Sequence, residues 1–471
     1  MDGTLTSKKQ NSRKAVLPQW RLHESTRKLA CRALVLFFGL LPTLLTLIWC
    51  GLSFLPLYRQ WQGNTWQKTL EQQLGFDIEI FQALSLGPRQ VQLQNLELFN
   101  PETHQAIASI DSVLLTRFDD GWEMQVGTVE LQSSEFLSSA KQLHDRLLCV
   151  PREDGILLRL NIDQLRIQTE IASPQVFSEF QVEWSSHQNE SLLSVRAYHN
   201  GDKKLSDKVL VRATRSHESS RPRTQWLFRS GSSEISATLL SAIWPGAARL
   251  GENACFNGDV RAEIGDESMT FSVDGRLDRV SLDELTRKLP QGLAGSGRID
   301  AFRATVRDHQ LVQASGQLTV AGGGSLHRTW LLRAGSMLGL RLRDGLYTKG
   351  PTFVHFDQMV CQFDWDRDGL QLQGRLPPIE LAASEKPISG VIAIDGLGPL
   401  FADAGTEPQQ IPRANSWQVV QWLTEVPDAA ATPSQVMAAQ EVAVRLGRHL
   451  PSPAPPRPAL ASPVLQASQS P

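Results

Sequence analysis

The chain has 471 residues, with 47 Lys and Arg against 49 Asp and Glu, for a formal net charge of −2. That length allows two or three domains, and the balanced charge gives no global field to attract a nucleic-acid backbone, so no nucleic-acid partner is expected. Five cysteines are too few and too scattered for a disulfide framework, and Cys149, Cys255 and Cys361 read as isolated small hydrophobes.

Residues 1–32 are polar and basic, carrying Lys8, Lys9, Arg13, Lys14, Arg21, Arg27, Lys28 and Arg32 against Asp2 and Glu24. The stretch 33–58 follows, and from Ala33 to Leu57 it holds no charged residue. At about 1.5 Å per residue such a helix crosses a bilayer core of roughly 30 Å with some tilt, and Pro42 is tolerated in a spanning helix. The basic excess ahead of the run predicts a cytoplasmic N-terminus, with everything beyond Tyr58 on the far side of the membrane. Trp49, Trp61 and Trp66 suit the far interface. A cleaved signal peptide would be shorter and would end in a small-x-small site; this run ends in Leu-Pro-Leu-Tyr-Arg, which favours a retained anchor in the inner (cytoplasmic) membrane. Residues 59–75 form a helical neck, with Trp66, Leu70 and Leu74 on one face and Gly75 as its stop.

From residue 76 to 404 the pattern changes to segments of five to ten residues that alternate apolar and polar between Gly, Asn, Asp and Pro. These predict antiparallel strands, among them Met124–Leu131, Leu157–Ile171, Phe177–Trp184, Leu192–Tyr198, Val209–Thr214, Trp226–Arg229, Glu234–Leu240, Val260–Ile264 and Thr352–Trp365. Hairpins are expected at Gly265-Asp266 and at Asp308-His309. Helical spacing occurs in Phe136–Leu148, in Ser281–Leu289 with a capping box from Ser281 to Glu284, and in His327–Leu342; each is placed to cap an end of a sheet. Residues 405–471 contain two short helical patterns, Ser416–Thr424 and Ser434–Leu446, and end in a Pro-, Ala- and Ser-rich tail expected to be largely disordered.

No motif points to catalysis. Asp364-Trp-Asp366-Arg-Asp368-Gly369 opens like a calcium loop, but Arg375 stands where the bidentate Glu belongs, so a tight turn is the expected role. Gly322-Gly-Gly324-Ser325 lacks the Lys-Ser/Thr of a phosphate loop and reads as a strand-to-helix connection. The histidines are dispersed, without His-x-x-x-His or paired cysteines, so no metal site is expected. There is no Gly-x-Ser-x-Gly, and Asp119-Asp120 sits in a solvated turn. No catalytic residue, cofactor or metal is predicted, and the chain is not expected to be an enzyme.

One stretch carries a recognisable arrangement. Residues 84–117 place Val91, Leu93, Leu96, Leu98, Asn100-Pro101, Ile107-Ala108, Ile110-Asp111 and Val113 in an order that resembles the opening of AsmA-like envelope proteins (the TamB/AsmA-type β-groove group). Gly295-x-Gly297 with Ile299-Asp300, and Phe356, Met359, Cys361, Phe363, Asp368-Gly369 and Leu370 to Leu372, are similar to later elements of that group. The resemblance implies a mainly β fold: a single N-terminal transmembrane helix, then a long curved antiparallel sheet forming a taco-like groove, with a few short helices. It also implies membrane lipids as partners, with a function in envelope assembly or maintenance on the periplasmic or extracytoplasmic side.

The residues are compatible with this. An acyl chain leaving a bilayer needs a continuous apolar track, since exposure costs about 0.8 kcal/mol per CH₂, and one face of alternating strands supplies it. Leu158, Leu160, Ile162, Leu165, Ile167 and Ile171 are the groove-lining candidates. The same face would equally serve as an ordinary packed core. A membrane-tethered scaffold that binds an envelope protein partner through sheet edges, without lipid transport, is the alternative.

Overall fold

A computed structural model describes residues 24–53, 56–119, 121–151, 157–168, 174–187, 189–200, 207–217, 222–240, 245–265, 268–287, 289, 292–308, 310–346, 352–377, 390–403, 412–424 and 450. The chain divides into two units, residues 1–62 and 63–471.

In the first unit, helices α1 (Glu24–Val35) and α2 (Leu41–Ser53) are joined by a π-helical turn, Leu36–Leu40. The cause lies just beyond it: Pro42 has no N–H to donate and its ring crowds the carbonyl one turn back. The Leu41 N–H accordingly reaches the Leu36 carbonyl, and the Thr43 hydroxyl donates to the carbonyls of Gly39 and Leu40, each at 2.9 Å. Glu24–Ile48 is the one helix, among the described residues, long and apolar enough to cross a membrane, with a mean hydropathy of 2.1 and no buried side chain. It starts ahead of the predicted 33–58 because the polar turns of α1 continue into the apolar run without a break.

Helix α3 (Pro56–Leu74) ends at Gly75, whose φ of +79° is a left-handed conformation that glycine adopts at no cost. The second unit is mainly β, one large open mixed sheet. Its first nine strands are β1 (Asp77–Gly87), β2 (Gln90–Phe99), β3 (Ala106–Arg117), β4 (Gly121–Gln132), β5 (Leu157–Gln168), β6 (Gln175–Ser186), β7 (Glu190–His199), β8 (Val209–Ser216) and β9 (Thr224–Arg229). Each pairs with the next. The short β10 (Ile235–Ser236) and helix α5 (Ala237–Leu240) occupy the stretch predicted as a single strand over Glu234–Leu240.

After these come β11 (Cys255–Ile264), β12 (Met269–Ser281), α6 (Leu282–Thr286), β13 (Leu293–Arg307) and β14 (Gln310–Val320). Strand β9 pairs with β11, and the ladder runs on through β12, β13 and β14, including both expected hairpins. Ser281 caps α6 by accepting the Glu284 N–H. The Gly-rich connection contains β15 (Gly324–His327) ahead of α7 (Arg328–Leu338). The predicted Thr352–Trp365 strand divides into β17 (Phe353–Phe356) and β18 (Gln358–Asp366), preceded by the two-residue β16 (Arg341–Leu342). The last elements are β19 (Gly369–Gly374), β20 (Val391–Asp395), β21 (Gly398–Ala402) and α8 (Ser416–Thr424). Strand β18 joins the ladder through β14. At this end α7 and α8 cover a dense core with Leu338, Val320, Ile392 and Leu400 at its centre, and Trp330 stacks on Trp422 at 4.4 Å. The Ser434–Leu446 helix predicted from sequence lies outside the described residues.

One pair departs from the antiparallel expectation. Strands β4 and β5 are parallel, because α4 (Phe136–Leu143) and a π-helical turn, His144–Leu148, carry the chain back to the starting end of β4. This segment crosses over the sheet: Leu147 and Leu148 pack on Leu158, Trp184, Leu193, Ala213 and Trp226, and the Trp184 indole donates to the Leu147 carbonyl at 3.1 Å.

Candidate functional site: an apolar track across the sheet

Residues in register on neighbouring strands share a face of the sheet. Following one register line across the ladder gives Val91, Leu115, Met124, Leu160, Val182, Val195, Val211, Phe228, Val260, Val273, Ala304, Ala314 and Trp365, each paired with the next. Every one is apolar. The adjacent line on the opposite face reads Glu123, Arg159, Glu183, Ser194, Arg212, Leu227, Arg261, Ser272, Thr305 and Gln313, polar at every position but Leu227. There charges alternate in sign across strands, and pairs such as Arg229 with Asp259 at 3.1 Å and Arg166 with Glu130 at 3.6 Å hold the solvated side.

The line is most enclosed on either side of its middle, at Leu115 and from Val260 to Ala314, while its terminal Val91 and Trp365 are half-buried. Leu115 is 2% exposed, and Val273 6%. From β4 to β9, Met124, Leu160, Val182, Val195, Val211 and Phe228 are all half-buried. At about 4.8 Å between strands, this partly open stretch is roughly 24 Å long. The crossover segment covers the next line, Leu158 to Trp226. Helix α3 covers the β1–β4 side through Trp66, Leu70 and Leu74, with Trp66 edge-on to Trp122 at 6.1 Å.

A seam of bulges keeps the apolar side chains on this face. In β1 to β6 the core positions are three apart at one level: Ile80 and Ala83, Leu93 and Leu96, Ile110 and Val113, Val126 and Val129, Ile162 and Leu165, Phe177 and Phe180. An ordinary strand would send such pairs to opposite faces; one residue left out of the pairing in each strand (Phe81, Asn95, Asp111, Gly127, Asp163 and Glu179) restores the phase. Asn95 and Glu179 take up this strain with φ of +51° and +49°. Asp111 bridges the seam by accepting the Thr128 N–H at 2.8 Å, and the missing side chain of Gly127 leaves room for that carboxylate, which a Cβ would meet at 2.5 Å.

Of the lining residues read from sequence, Leu160 lies on the track itself. Leu158 lies one line over, beneath the crossover. Ile162, Leu165 and Ile167, at 7%, 8% and 7% exposure, are packed core beside it. Ile171 lies outside the described residues. Met124, Val182, Val195, Val211 and Phe228 were not singled out. Their strands are evident from alternation, but which residue of each strand meets the line depends on register, which no local pattern encodes.

Other motif letters acquire local roles. The Asn100 side chain accepts the Glu102 N–H at 2.9 Å and donates to Glu135 at 2.7 Å, fixing the β2–β3 turn. The calcium-like loop is the β18–β19 turn: the Asp368 N–H bonds Asp366 at 2.8 Å, and Arg413 takes both Asp366 oxygens at 2.7 Å.

One grouping escaped the sequence reading. His144, Asp145 and Cys149 have ligand atoms within 4.8 Å of one another. An α-helix brings together residues three or four apart; the five-residue spacing closes here because the turn is π-helical, with the Cys149 N–H on the His144 carbonyl at 3.2 Å.

The fold and site define a mainly β protein with one large open sheet, apolar on one face, and an N-terminal apolar helix. Compared with known proteins, the chain matches no family profile, no curated protein and no solved structure.

Proposed function

We propose that this is a single-pass protein of the cytoplasmic membrane, with its N-terminus in the cytoplasm and its sheet on the far side, that shields or conducts lipid acyl chains along the apolar track in envelope assembly or maintenance. The observation that carries the reading is the unbroken apolar register line with its half-open stretch from Met124 to Phe228. One bilayer leaflet is about 15 Å of hydrocarbon, half the usual core, so roughly 24 Å of track accommodates an acyl chain lengthwise. Burying such a chain recovers about 0.8 kcal/mol per CH₂.

The test is to purify the full chain from its own membranes in mild detergent and analyse extracted lipid by mass spectrometry. Bound lipid is expected, and Val195→Glu, which puts a charge in mid-track, should reduce it several-fold. Absence of lipid, or equal lipid in the variant, overturns the reading.

A second reading rests on β1. Among the described residues its one strand partner is β2, and Phe81 and Leu86 on it are 81% and 52% exposed. A scaffold that adds a partner's strand at this edge would lose that partner on Phe81→Lys while its lipid content stayed unchanged.

A further inference from the structure

We propose that the π-helical turn between α4 and β5 is a site for a zinc-like transition-metal ion, held by His144 Nδ1, an Asp145 carboxylate oxygen and Cys149 Sγ. The proposal is independent of the lipid reading.

Geometry is the first argument. In a tetrahedral centre with metal–sulfur about 2.3 Å and metal–nitrogen about 2.0 Å, S and N are about 3.5 Å apart, and the edges to oxygen are about 3.4 to 3.6 Å. In the protein Cys149 Sγ lies 3.6 Å from His144 Nδ1, Asp145 Oδ1 lies 2.9 Å from that nitrogen, and the sulfur is 4.0 Å from Asp145 Oδ1. Each edge is within about 0.5 Å of the ideal, so an ion enters by spreading the His–Asp hydrogen bond and drawing the thiolate inward. The donor set of one imidazole, one carboxylate and one thiolate suits zinc and cobalt and does not suit magnesium or calcium.

The surroundings are the second argument. A metal-binding histidine is normally aimed by a hydrogen bond on its other ring nitrogen. His144 Nε2 lies 2.9 Å from the hydroxyl of Thr224, a fully buried residue at the start of β9. That hydroxyl is held in turn by Arg215 on β8, which donates to it at 2.9 Å. The Asp145 carboxylate can only accept, so the neutral ring carries its proton on Nδ1 and donates it to Asp145, and Nε2 accepts from the Thr224 hydroxyl, one of whose lone pairs is taken by Arg215. Metal binding at Nδ1 displaces that proton, and Nε2–H then donates to the second lone pair of Thr224. The ring stays fixed in both states by residues from two strands outside the turn. The fourth coordination position faces outward, since the Asp145 side chain is 56% exposed whereas that of His144 is 15% exposed.

The test uses the full chain in detergent, kept reduced, with Co²⁺ as probe and Zn²⁺ as competitor. One equivalent of Co²⁺ should give a thiolate-to-cobalt charge-transfer absorption and tetrahedral ligand-field bands, both removed by Zn²⁺. Cys149→Ser should abolish the charge-transfer absorption. Asp145→Ala, at an exposed position with little effect on folding, should weaken Zn²⁺ binding at least about tenfold, and Thr224→Val by about 10–100-fold. No such absorption in the unmodified chain overturns the assignment. So does its persistence in Cys149→Ser, which would move it to another thiol, or an unchanged affinity in both Asp145→Ala and Thr224→Val.

Discussion

Arg343 meets both oxygens of Asp395, through Nη1 at 2.7 Å and through Nη2, and the Leu397 N–H adds a bond to the same carboxylate at 2.9 Å. Hydrogen bonds from Arg343 hold the Asp395 carboxyl below its usual value, with burial opposing them. A depressed folded-state value means that the stabilisation is present above the ordinary carboxylate range and is lost as pH falls through the folded value. Thermal melts between about pH 3 and about pH 7 should therefore show Tm falling on the acid side. Asp395→Asn should cost on the order of 1 kcal/mol near neutrality, the scale of a partly exposed bidentate pair, and should flatten that acid limb. Cys361 is a second case in which a single residue is decisive. It is 6% exposed in the β14–β18 pair, and burial pushes its thiol up to about 12. Alkylation followed by peptide mass spectrometry should find it unmodified in the native chain at neutral pH and modified in denaturant; labelling of the native chain would contradict the packing. Residues of this kind were legible only as letters. The sequence shows Asn100 and Asp111 inside a strand-turn-strand pattern, but their bonds to Glu135 and Thr128 depend on elements far along the chain.

At the scale of elements, alternation located most strands, and Ser281, Gly75 and Gly339 mark helix ends as local chemistry requires. Two features depend on what lies alongside. One is the parallel pairing of β4 and β5, set by a crossover whose helical spacing was visible but whose landing place was not. The other is the bulge seam. Its trace is present in β5, where Leu158, Leu160 and Ile162 keep one parity and Leu165 and Ile167 the other, and only the neighbouring strands show why. The seam makes a sharp prediction. Deleting Asp163, the residue of β5 that neither neighbour pairs, removes the extra residue, so every side chain beyond it turns to the wrong face, exposing Leu165 and Ile167 and burying Arg166. Leu165→Ala leaves a cavity costing about 2–5 kcal/mol; the deletion should cost more, measured by denaturant unfolding of the two variants side by side. Gly127→Ala, pushing the exposed Asp111 carboxylate off the Thr128 N–H, should destabilise by about 1 kcal/mol, the scale of one hydrogen bond. Combined with Asp111→Ala it should cost less than the two changes summed, since the clash then has no partner.

Across the whole molecule, the consequence of register is a sheet with two chemically different faces over thirteen strands. If the sheet meets acyl chains, transfer energetics favour only one of its faces, because a hydrocarbon laid over Glu123, Arg159 and Glu183 would have to strip water from charges, at several kcal/mol each. The face with Met124, Leu160, Val182, Val195, Val211 and Phe228 asks for no such loss, and its half-buried side chains are within reach of a ligand without unfolding the cores on either side. A photoreactive side chain introduced in turn at positions 182, 195 and 211 of the full chain in its membrane should therefore capture lipid. The same group at Ser194 or Arg212, one residue away in sequence and on the other side of the sheet, should capture none. Because neighbouring positions share strand, depth and local stability, a difference between them reports the face alone. Equal capture at 194 and 195 would mean that lipid meets the sheet by chance contact and that the apolar line is a core feature without a ligand. Capture at 195 that falls away at Val273 and Ala304, where the line is buried, would bound the occupied length to the strands between β4 and β9.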